Sequence, residues 1–454
     1  MSLQTKTKKI HFIGIGGAGM SGLADILFEM GHKITGSDKE ESETTKYLAK
    51  RGISVFKGHH SKNIEEQDLV VYSSAISRDN SEMTEAIKKN IPIIRRAEIL
   101  GQLMQKQYGI AVSGTHGKTT TTSMMSKILI DARLDPTVVV GGKMQNLKTN
   151  ARLGKGKYFL AEADEFDRSF LTLHPVISII TSLEEDHLDI YKDFADLRST
   201  FLKFVNQTAF DGLVLLCGDH ENVANLSSEI SANSIIYGTM KNANIFAYNI
   251  KNDEGFTQFN LKVFDEDKGL VKINLPGYHN VLNALAAIGV ALELEVDFEL
   301  IKDALGSFNG VQRRFEFKAQ RAGILFYDDY AHHPTEVKVT LETAKQGWDK
   351  RVVVLFQPHL FSRTADFFKE FAGALSVADL AIVTPIYPAR ESAMPGVTSQ
   401  LITNEINKEC VVIDDNNSIV ETVQKLLNEN DLFLTMGAGD IWKYGEQIIE
   451  RMTN

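Results

Sequence analysis

The chain has 454 residues, which is too long for one hydrophobic core and suggests about three domains. Its formal net charge of −10 is spread along the sequence, which argues against a nucleic-acid-binding surface. Cys217 and Cys410 form no metal or redox motif and suit a reducing compartment. No run reaches the ~18 apolar residues of a membrane span, and the N-terminus lacks an apolar signal core. The sequence therefore predicts a cytoplasmic protein without a membrane span or a nucleic-acid partner.

The segment from residue 9 to about 105 alternates short apolar runs with helical periodicity, which predicts strands separated by helices and hence a parallel sheet. In chain order, the predicted elements are the strand KIHFIGIGG, the helix MSGLADILFEMG, and the strands HKITGSD and DLVVYSSAI. The first strand runs into Gly14-x-Gly16-x-x-Gly19, and Asp38 ends the next strand. This spacing is typical of a dinucleotide-binding turn, although any diphosphate could lie at the same helix N-terminus.

A second unit begins at YGIAVSGTHGKTT with a strand, a glycine-rich turn and a helix. The turn Gly114-Thr-His-Gly-Lys-Thr119 looks like a nucleotide phosphate loop, but the usual spacing places glycine where Val112 stands. Lys118 could reach the terminal phosphates and Thr119 could hold Mg²⁺, while the backbone N–H groups and the helix dipole attract the anion. The pattern predicts an ATP site; the alternative is a turn that merely happens to be rich in glycine and threonine.

Acidic residues and a histidine follow the next strands of this unit, YFLAEADE and VISIITSL. In chain order they are Glu162, Asp164, Glu165, Asp167, Asp186, His187 and Asp189. Carboxylates at the end of a strand beside a phosphate loop suit Mg²⁺, which prefers oxygen ligands. We predict that Thr119, Glu162 and His187 hold the metal. A histidine without a ligand role is the alternative for His187, and the neighbouring aspartates are expected to be solvated or more distant.

The remaining predicted elements continue the α/β pattern. They are the strands TVVVGG and LVLLCGD, the alternating and mostly antiparallel strands NIFAYNI, TQFNLKVF and LVKINLP, the helix HNVLNALAAIGVALEL, and the strands GILFYDDYA, RVVVLFQPH, LAIVTPIY, CVVIDD and DLFLTMGAG. The fold class is therefore α/β with three domains. We predict a Rossmann-like N-terminal domain (1–105), a central P-loop ATPase-like parallel sheet with a small antiparallel sheet (106–319), and a Rossmann-like C-terminal domain (320–454).

Taken together, the motifs resemble the Mur ligases, ATP-dependent enzymes of peptidoglycan precursor synthesis. The resemblance covers essentially the whole chain and is far more specific than either glycine loop alone. It is carried by GIGGAGMSGLA, GSD, SSAI, RAEIL, GTHGKTTTT, EADE, EEDHLDIY, GYHNVLNALAA, GVQRRFE, DDYAHHPTEV, FQPHLFSRT and GAGDI. The phosphate loop of the family has the form GTxGKT, so Val112 agrees with it.

The resemblance implies an enzyme of cell-wall biogenesis, with roles in cell shape and cell division. The N-terminal domain would bind the UDP part of UDP-N-acetylmuramate, the central domain ATP with Mg²⁺, and the C-terminal domain L-alanine. The muramate carboxylate would attack the γ-phosphate to give an acyl phosphate and ADP. The alanine amine would then displace phosphate. A monomer or weak homodimer is expected.

The family's functional positions map onto this sequence. Its ATP contacts fall on Gly114, Thr115, His116, Gly117, Lys118, Thr119, Thr120, His279, Asn280, Asn283 and Asp329. Its substrate contacts fall on Gly16, Gly17, Ala18, Gly19, Met20, Asp38, Ser73, Ser74, His333 and Arg363. The implied catalytic residues are Lys118, His187, Arg313, Arg314 and His333, with one of the two arginines steadying phosphate charge. Without the resemblance, the arginines and His333 would be unremarkable, and His279, Asn280 and Asn283 would be polar residues at a helix start.

Two positions depart from parts of the family. Phe201 stands where the ligases that add later amino acids carry a carbamylated lysine, which favours the L-alanine-adding reaction. Leu360 stands where some members have arginine in addition to Arg363.

Three other functions compete with L-alanine addition. The nearest is the recycling reaction that joins a whole tripeptide to UDP-N-acetylmuramate, since those enzymes share GTHGKTTTT, EADE and AHHPT. An NAD-dependent dehydrogenase would use the first glycine loop and Asp38 but would leave Lys118 without a role. A non-catalytic UDP-sugar module would bind ATP only as a structural ligand.

Overall fold

The computed structural model describes residues 7–145, 149–185, 190–389 and 391–452. The chain forms two compact units, the first built from Met1–Tyr248, Asn260–Val271 and Leu282–Phe308, the second from Asn249–Phe259, Lys272–Val281 and Asn309–Asn454. Three β-sheets make up the fold, and the α/β class is as predicted. No helix within the described ranges is both long enough and apolar enough to span a bilayer.

The first sheet has five strands, all parallel, in the order β3-β2-β1-β4-β5. Its strands are β1 Lys9–Ile13, β2 Lys33–Asp38, β3 Ser54–Lys57, β4 Leu69–Tyr72 and β5 Ile93–Arg95. Its helices are α1 Ala18–Glu29, α2 Glu43–Lys50, α3 Ser81–Lys88 and α4 Arg96–Met104. The central strand β1 is buried from Ile10 to Ile13 on both faces, and this stretch includes the polar residue His11.

The second sheet has ten strands in the order β15-β14-β13-β12-β11-β10-β6-β9-β7-β8. They are β6 Tyr108–Ser113, β7 Thr137–Met144, β8 Thr149–Arg152, β9 Tyr158–Glu162, β10 Ile177–Ile180, β11 Leu213–Cys217, β12 Asn233–Gly238, β13 Ile245–Asp253, β14 Phe256–Val263 and β15 Glu266–Ile273. The helices are α5 Lys118–Asp131, α6 Phe194–Val205, α7 Glu221–Ala224, α8 Tyr278–Glu293 and α9 Phe298–Gly306. The last three strands, expected as a separate small sheet, instead continue this one because β13 pairs with β12.

The third sheet has six strands in the order β16-β17-β21-β18-β19-β20, and only β16 is antiparallel to its neighbour. They are β16 Glu316–Arg321, β17 Ile324–Asp329, β18 Arg351–Phe356, β19 Leu380–Val383, β20 Cys410–Val412 and β21 Asp431–Met436. The helices are α10 Pro334–Gly347, α11 Phe361–Leu375, α12 Gln400–Thr403, α13 Ile419–Leu426 and α14 Ile441–Arg451. Strand β16 includes residues 319 and 320, between which the sequence analysis placed a domain boundary. The position of that boundary stays a prediction.

Strand β18 shows how this sheet is buried on both faces. Val352, Val354 and Phe356 belong to one apolar cluster, whereas Val353 and Leu355 belong to another. Successive side chains point to opposite faces of a strand, so both faces are covered by apolar groups. The polar residues Gln357 and His359 follow β18, in the loop that leads to Arg363.

Candidate active site

The phosphate loop joins β6 to α5, and two glycines shape its turn. Gly114 (φ 139°) and Gly117 (φ 82°) have left-handed backbone conformations. A Cβ at position 114 would overlap Thr181 Oγ1. Val112, by contrast, is fully buried in β6 and pairs with Glu162 of β9. Position 112 therefore belongs to the strand, and the turn starts after it without needing a glycine there.

Lys118 opens α5, and its ammonium group turns back over the loop. Nζ donates to the carbonyl oxygens of Gly114 (2.5 Å) and Thr115 (3.3 Å) and lies 2.8 Å from both carboxylate oxygens of Glu165. Burial by itself would lower the pKa of Lys118, but the charge of Glu165, with other nearby carboxylates, outweighs it and raises the pKa. Lys118 is therefore a fixed cation at the loop.

Thr119 and Glu162 meet beside this cation. Thr119 Oγ1 lies 3.0 Å from each carboxylate oxygen of Glu162, and the Gly141 N–H donates to Oε2 at 2.7 Å. Burial raises the pKa of Glu162, and the charge of Lys118 opposes this shift. A hydroxyl and a carboxylate at this separation can share a hard divalent cation. His187 and its neighbours Asp186 and Asp189 lie outside the described residues, and the metal role of Thr119, Glu162 and His187 stays a prediction.

The other acidic residues after β9 have partners of their own. Glu165 pairs with Lys118, as described above. Asp164 and Asp167 each lie 4.0 Å from an arginine of the α4 start, Arg96 and Arg95 respectively. The sequence suggested one cluster of metal-binding carboxylates, but the structure assigns Glu165 to the lysine and Asp164 to an arginine.

Residues after β10 form hydrogen bonds with the phosphate loop. Ser182 Oγ lies 2.9 Å from Thr115 Oγ1 and accepts the His116 N–H at 2.7 Å. The His116 ring lies 3.5 Å from a carboxylate oxygen of Glu184, and Thr120 is half-buried on the first turn of α5. Sequence reasoning missed Ser182, although its place at the end of VISIITSL is the signal that could have found it.

Helix α8 brings one of its three predicted ATP contacts to the phosphate loop. Thr121 Oγ1 donates to Asn283 Oδ1 at 3.0 Å, and a Cβ at Gly117 would lie 2.6 Å from the same oxygen. Asn280 instead donates to the carbonyl of Pro276 at 2.7 Å. Burial lowers the pKa of His279 to about 4, so its ring is neutral near pH 7.

The first glycine loop is held by the end of β2. Asp38, which was predicted to contact the substrate, accepts the Gly16 N–H with Oδ2 at 2.8 Å and so binds the loop itself. Gly17 and Ala18 are exposed at the start of α1, where the first N–H groups of a helix have no intrahelical partner. Met20 has another role: its side chain is buried, and its N–H bonds to Gly17 O.

Ser73 and Ser74 follow β4, the strand next to β1. A Cβ at Gly14 would lie 3.5 Å from Ser73 Cβ, so Ser73 borders the first glycine loop. Ser74 is exposed.

The two adjacent arginines of the second unit have different surroundings. Arg313 Nε lies 2.9 Å from Asp328 Oδ2, and its other nitrogens donate to the carbonyl oxygens of Gly439 (3.1 Å) and Gly437 (2.5 Å). Arg314 is 31% exposed, and its Nη1 lies 3.5 Å from a carboxylate oxygen of Glu336. Arg313 therefore holds the sheet together, which leaves Arg314 as the better candidate for a phosphate contact.

This difference predicts opposite effects of two substitutions. Arg313→Ala is expected to lower the free energy of unfolding of the second unit by about 3–5 kcal/mol, because Asp328 would stay buried without its partner. Arg314→Ala is expected to lower kcat about a hundredfold while leaving stability nearly unchanged. Urea denaturation and steady-state phosphate release on both variants check this. Wild-type stability of the Arg313→Ala protein would contradict the assignment.

Asp329 ends β17 and was predicted to orient ATP. Its two oxygens accept the N–H groups of Phe315 and Ala331, each at 2.7 Å. Burial raises its pKa to about 6, against the opposing charge of Arg314. Each oxygen of Asp329 thus accepts one backbone N–H group. A contact with ATP would have to use an oxygen that already accepts one of these hydrogen bonds.

The histidine pair before α10 differs in exposure. The His333 side chain is buried against Phe367, with ring centroids 5.3 Å apart. His332 is 21% exposed, and its ring lies between those of Tyr330 (5.2 Å) and His359 (6.0 Å). Sequence reasoning selected His333, whereas exposure points to His332 as a further candidate for substrate contact.

Arg363 lies on the first turn of α11, next in sequence to Ser362, which binds a carboxylate from a neighbouring loop. The Ser362 N–H and hydroxyl donate to Glu391 at 3.0 and 2.5 Å. Leu360 precedes the helix with φ 70°, and its side chain is buried. Leu360 is therefore a packing residue, and the substrate contact of Arg363 stays a prediction.

Comparison with known proteins gives consistent matches along the whole chain. Three family models match in succession: "Mur ligase family, catalytic domain" at residues 9–108, "Mur ligase middle domain" at 112–291 and "Mur ligase, glutamate ligase domain" at 313–439. A UDP-N-acetylmuramate–L-alanine ligase from Geotalea daltonii is 45% identical over 451 residues, covering 98% of both chains. The protein of the same name from Geobacter sulfurreducens is 43% identical over 453 residues, with the same coverage.

Two solved structures extend the comparison. The UDP-N-acetylmuramate–alanine ligase from Thermotoga maritima has a TM-score of 0.84 and 33% identity, covering 98% of this chain and 99% of that one. A murein peptide ligase from Psychrobacter arcticus has a TM-score of 0.73 and 25% identity, covering 98% of each. The α/β architecture with three sheets is thus shared with both.

Proposed function

The chain belongs to the Mur ligase family, and from that premise we propose that it joins L-alanine to the carboxylate of UDP-N-acetylmuramate at the expense of ATP. The observation that carries the proposal is the phosphate loop with Lys118 and the Thr119–Glu162 pair. A second glycine loop in the first sheet suits a nucleotide-linked substrate. Two loops in one chain fit a reaction that brings ATP and a UDP-linked acid together.

The reaction needs charge neutralisation, because a carboxylate must approach a triphosphate. The N–H groups around Gly117 and the ammonium of Lys118 bind the phosphates. Lys118 exchanges Glu165 for the phosphate oxygens when ATP binds. The substrate carboxylate attacks the γ-phosphorus to form an acyl phosphate and ADP. The L-alanine amine then attacks the acyl carbon, losing a proton, and phosphate leaves.

A divalent cation fits the loop, because Thr119 and Glu162 present a hydroxyl and a carboxylate 3.0 Å apart. We assign Mg²⁺ to this pair, with His187 as the further predicted ligand. When bound, the ion neutralises phosphate charge. Thr119 Oγ1 donates to the Glu162 carboxylate, so the two groups are oriented toward one another.

We assign the three substrates to three stretches of the chain. UDP binding belongs to residues 1–105, ATP binding to 106–319 and amino-acid binding to 320–454. In the last of these, Arg363 pairs with the alanine carboxylate and Arg314 steadies phosphate charge. His332 or His333 faces the substrate, and the exposure of His332 favours it.

Two observations favour L-alanine over the recycled tripeptide as the second substrate. The alanine ligase structure matches this chain at 33% identity, and the murein peptide ligase at 25%. Phe201 is completely buried in α6, and its ring centroid lies 5.1 Å from that of Phe170. This position is therefore a core position, which agrees with a ligase that does without the carbamylated lysine.

The decisive experiment is phosphate release from ATP and Mg²⁺ with UDP-N-acetylmuramate, to which L-alanine, glycine, L-serine or the tripeptide is added separately. We expect the fastest release with L-alanine. Release only with the tripeptide would move the protein to the recycling reaction. Release with none of them would remove the ligase assignment, and nicotinamide cofactor binding measured by fluorescence would then test the dehydrogenase alternative.

A further inference from the structure

Arg96 lies between the two glycine loops. It is the first residue of α4, and its guanidinium group packs on the backbone of Gly19: a Cβ at that glycine would lie 2.8 Å from Nη1 and 3.2 Å from Cζ. Its Nη2 lies 4.0 Å from Asp164 Oδ2, in the acidic segment after β9. One side chain therefore touches the first loop and faces the strand end beside the second.

The parts that Arg96 connects are fixed to one another independently of it. The Thr172 hydroxyl donates to the Ala97 carbonyl at 2.8 Å, and a Cβ at Gly101 would overlap the Thr172 carbonyl oxygen. The Asn150 side chain donates to the carbonyl of Ala18 in the first loop. Helix α4 and the first loop thus have a defined position against the segments around β8 and β9.

We propose that Arg96 is a positioning residue that binds the diphosphate of the UDP-linked substrate and ties it, through Asp164, to the strand end that carries Glu162 and Glu165. This inference rests on the proposed function. A planar guanidinium group has five donors in a fixed fork, which suits a diphosphate better than an ammonium group does. The 4.0 Å separation from Asp164 is longer than a hydrogen bond, and a quarter of the side chain is exposed. Arg96 can therefore bind an anion without first breaking a short ion pair.

Asp164 is well placed to transmit this position. Its Oδ1 accepts the Phe166 N–H at 3.1 Å, so the acidic segment has a defined turn. The residue lies between Glu162, which meets Thr119, and Glu165, which meets Lys118. A diphosphate bound by Arg96 would thus have a defined position relative to the segment that orients the groups around ATP.

The first test compares UDP with uridine as ligands, by isothermal titration for UDP and by competition for uridine. Arg96→Ala is expected to weaken UDP binding by about ten- to a hundredfold and to leave uridine binding unchanged, because the lost charged hydrogen bonds go to the diphosphate. Arg96→Lys should recover part of the loss. Arg95→Ala is the matched control: Arg95 lies 4.0 Å from Asp167, and its substitution should leave UDP affinity at the wild-type value. Unchanged UDP affinity in Arg96→Ala, or an equal loss for uridine, would overturn the diphosphate contact.

The second test examines the tie to Asp164 with a double-mutant cycle. Asp164→Asn keeps an oxygen for the Phe166 N–H but removes the charge. It is expected to weaken UDP binding a few-fold, and Arg96→Ala/Asp164→Asn should bind UDP no more weakly than Arg96→Ala alone. Additive losses, or wild-type affinity in Asp164→Asn, would overturn the tie. Wild-type phosphate release with L-alanine, measured in parallel, separates failure of this inference from failure of the proposed function.

Discussion

Lys118→Ala is expected to lower kcat at least about a thousandfold, because it removes the cation that neutralises the transferred phosphate. The same substitution also deprives the buried Glu165 of its ammonium partner, which lies 2.8 Å away. Removing one partner of a buried ion pair costs about 3–5 kcal/mol. Lost turnover in this variant could therefore reflect lost stability, and the two effects must be separated.

The double variant Lys118→Ala/Glu165→Gln separates them. It lacks the buried negative charge, so the free energy of unfolding measured in urea should return toward the wild-type value, whereas turnover should not. Lys127→Ala serves as the control on the same helix, because Lys127 pairs with Asp131 one turn along and touches no part of the loop. Wild-type turnover in the double variant would refute the role of Lys118.

Glu82→Ala is expected to lower the free energy of unfolding of the first unit by about 3 kcal/mol at pH 7, because buried donors lose their acceptor. Glu82 is completely buried in α3 and accepts hydrogen bonds from Ser37 Oγ (2.5 Å) and Asn63 Nδ2 (2.5 Å). The His60 N–H lies 3.2 Å from it, and the His11 ring lies 3.5 Å away. Urea denaturation, with hydrogen exchange of β1 and β2, measures the loss.

Titration of the same carboxylate is expected to make the stability of the first unit sensitive to acid. Burial by itself would raise the pKa of Glu82, but His11 and the bonds from Ser37 and Asn63 outweigh it and lower the pKa from 4.5 to about 2. Since the folded-state pKa lies below the unfolded value, the stabilisation is complete above pH 4.5 and is lost as the pH falls toward 2. The stabilisation lost over this pH range is about 3 kcal/mol.

Glu82→Gln removes this titration. Its free energy of unfolding should therefore fall less steeply than that of the wild type between pH 5 and pH 2. Glu85→Gln is the control, because Glu85 pairs with the more exposed Lys88 and Lys89 on the same helix. Parallel pH profiles for Glu82→Gln and the wild type would contradict the prediction.

The sequence predicts those strands whose burial leaves a strong pattern. Strand β10 is buried at all four positions, and its run of apolar residues is visible without a structure. The strands that the sequence did not predict are β3, β5, β8, β12 and β16. All but β12 lie at sheet edges, and β12 begins with two exposed polar residues, so their residues carry little apolar periodicity.

The site shows a similar division. The proximity of Thr119 and Glu162 was predictable, because a strand end and a glycine turn mark them in the sequence. The ion-pair partner of each charged residue was not predictable, because tertiary packing determines it. Arg96 and Asp164, for example, are 68 residues apart in the chain. Arg313 and Arg314 are adjacent and chemically identical, and their tertiary partners distinguish them: Asp328 for Arg313 and Glu336 for Arg314.

Because Glu165 is part of the same chain as Lys118, its carboxylate competes with other anions for the Lys118 ammonium group at a high effective concentration. On the proposed function, ATP would have to displace this carboxylate from Lys118, so the apparent affinity for ATP is expected to be weaker than the intrinsic affinity of the loop. The carboxylate would then bind the lysine again when the nucleotide product leaves. We therefore expect weaker nucleotide binding and faster product release than in a loop whose lysine had no carboxylate partner.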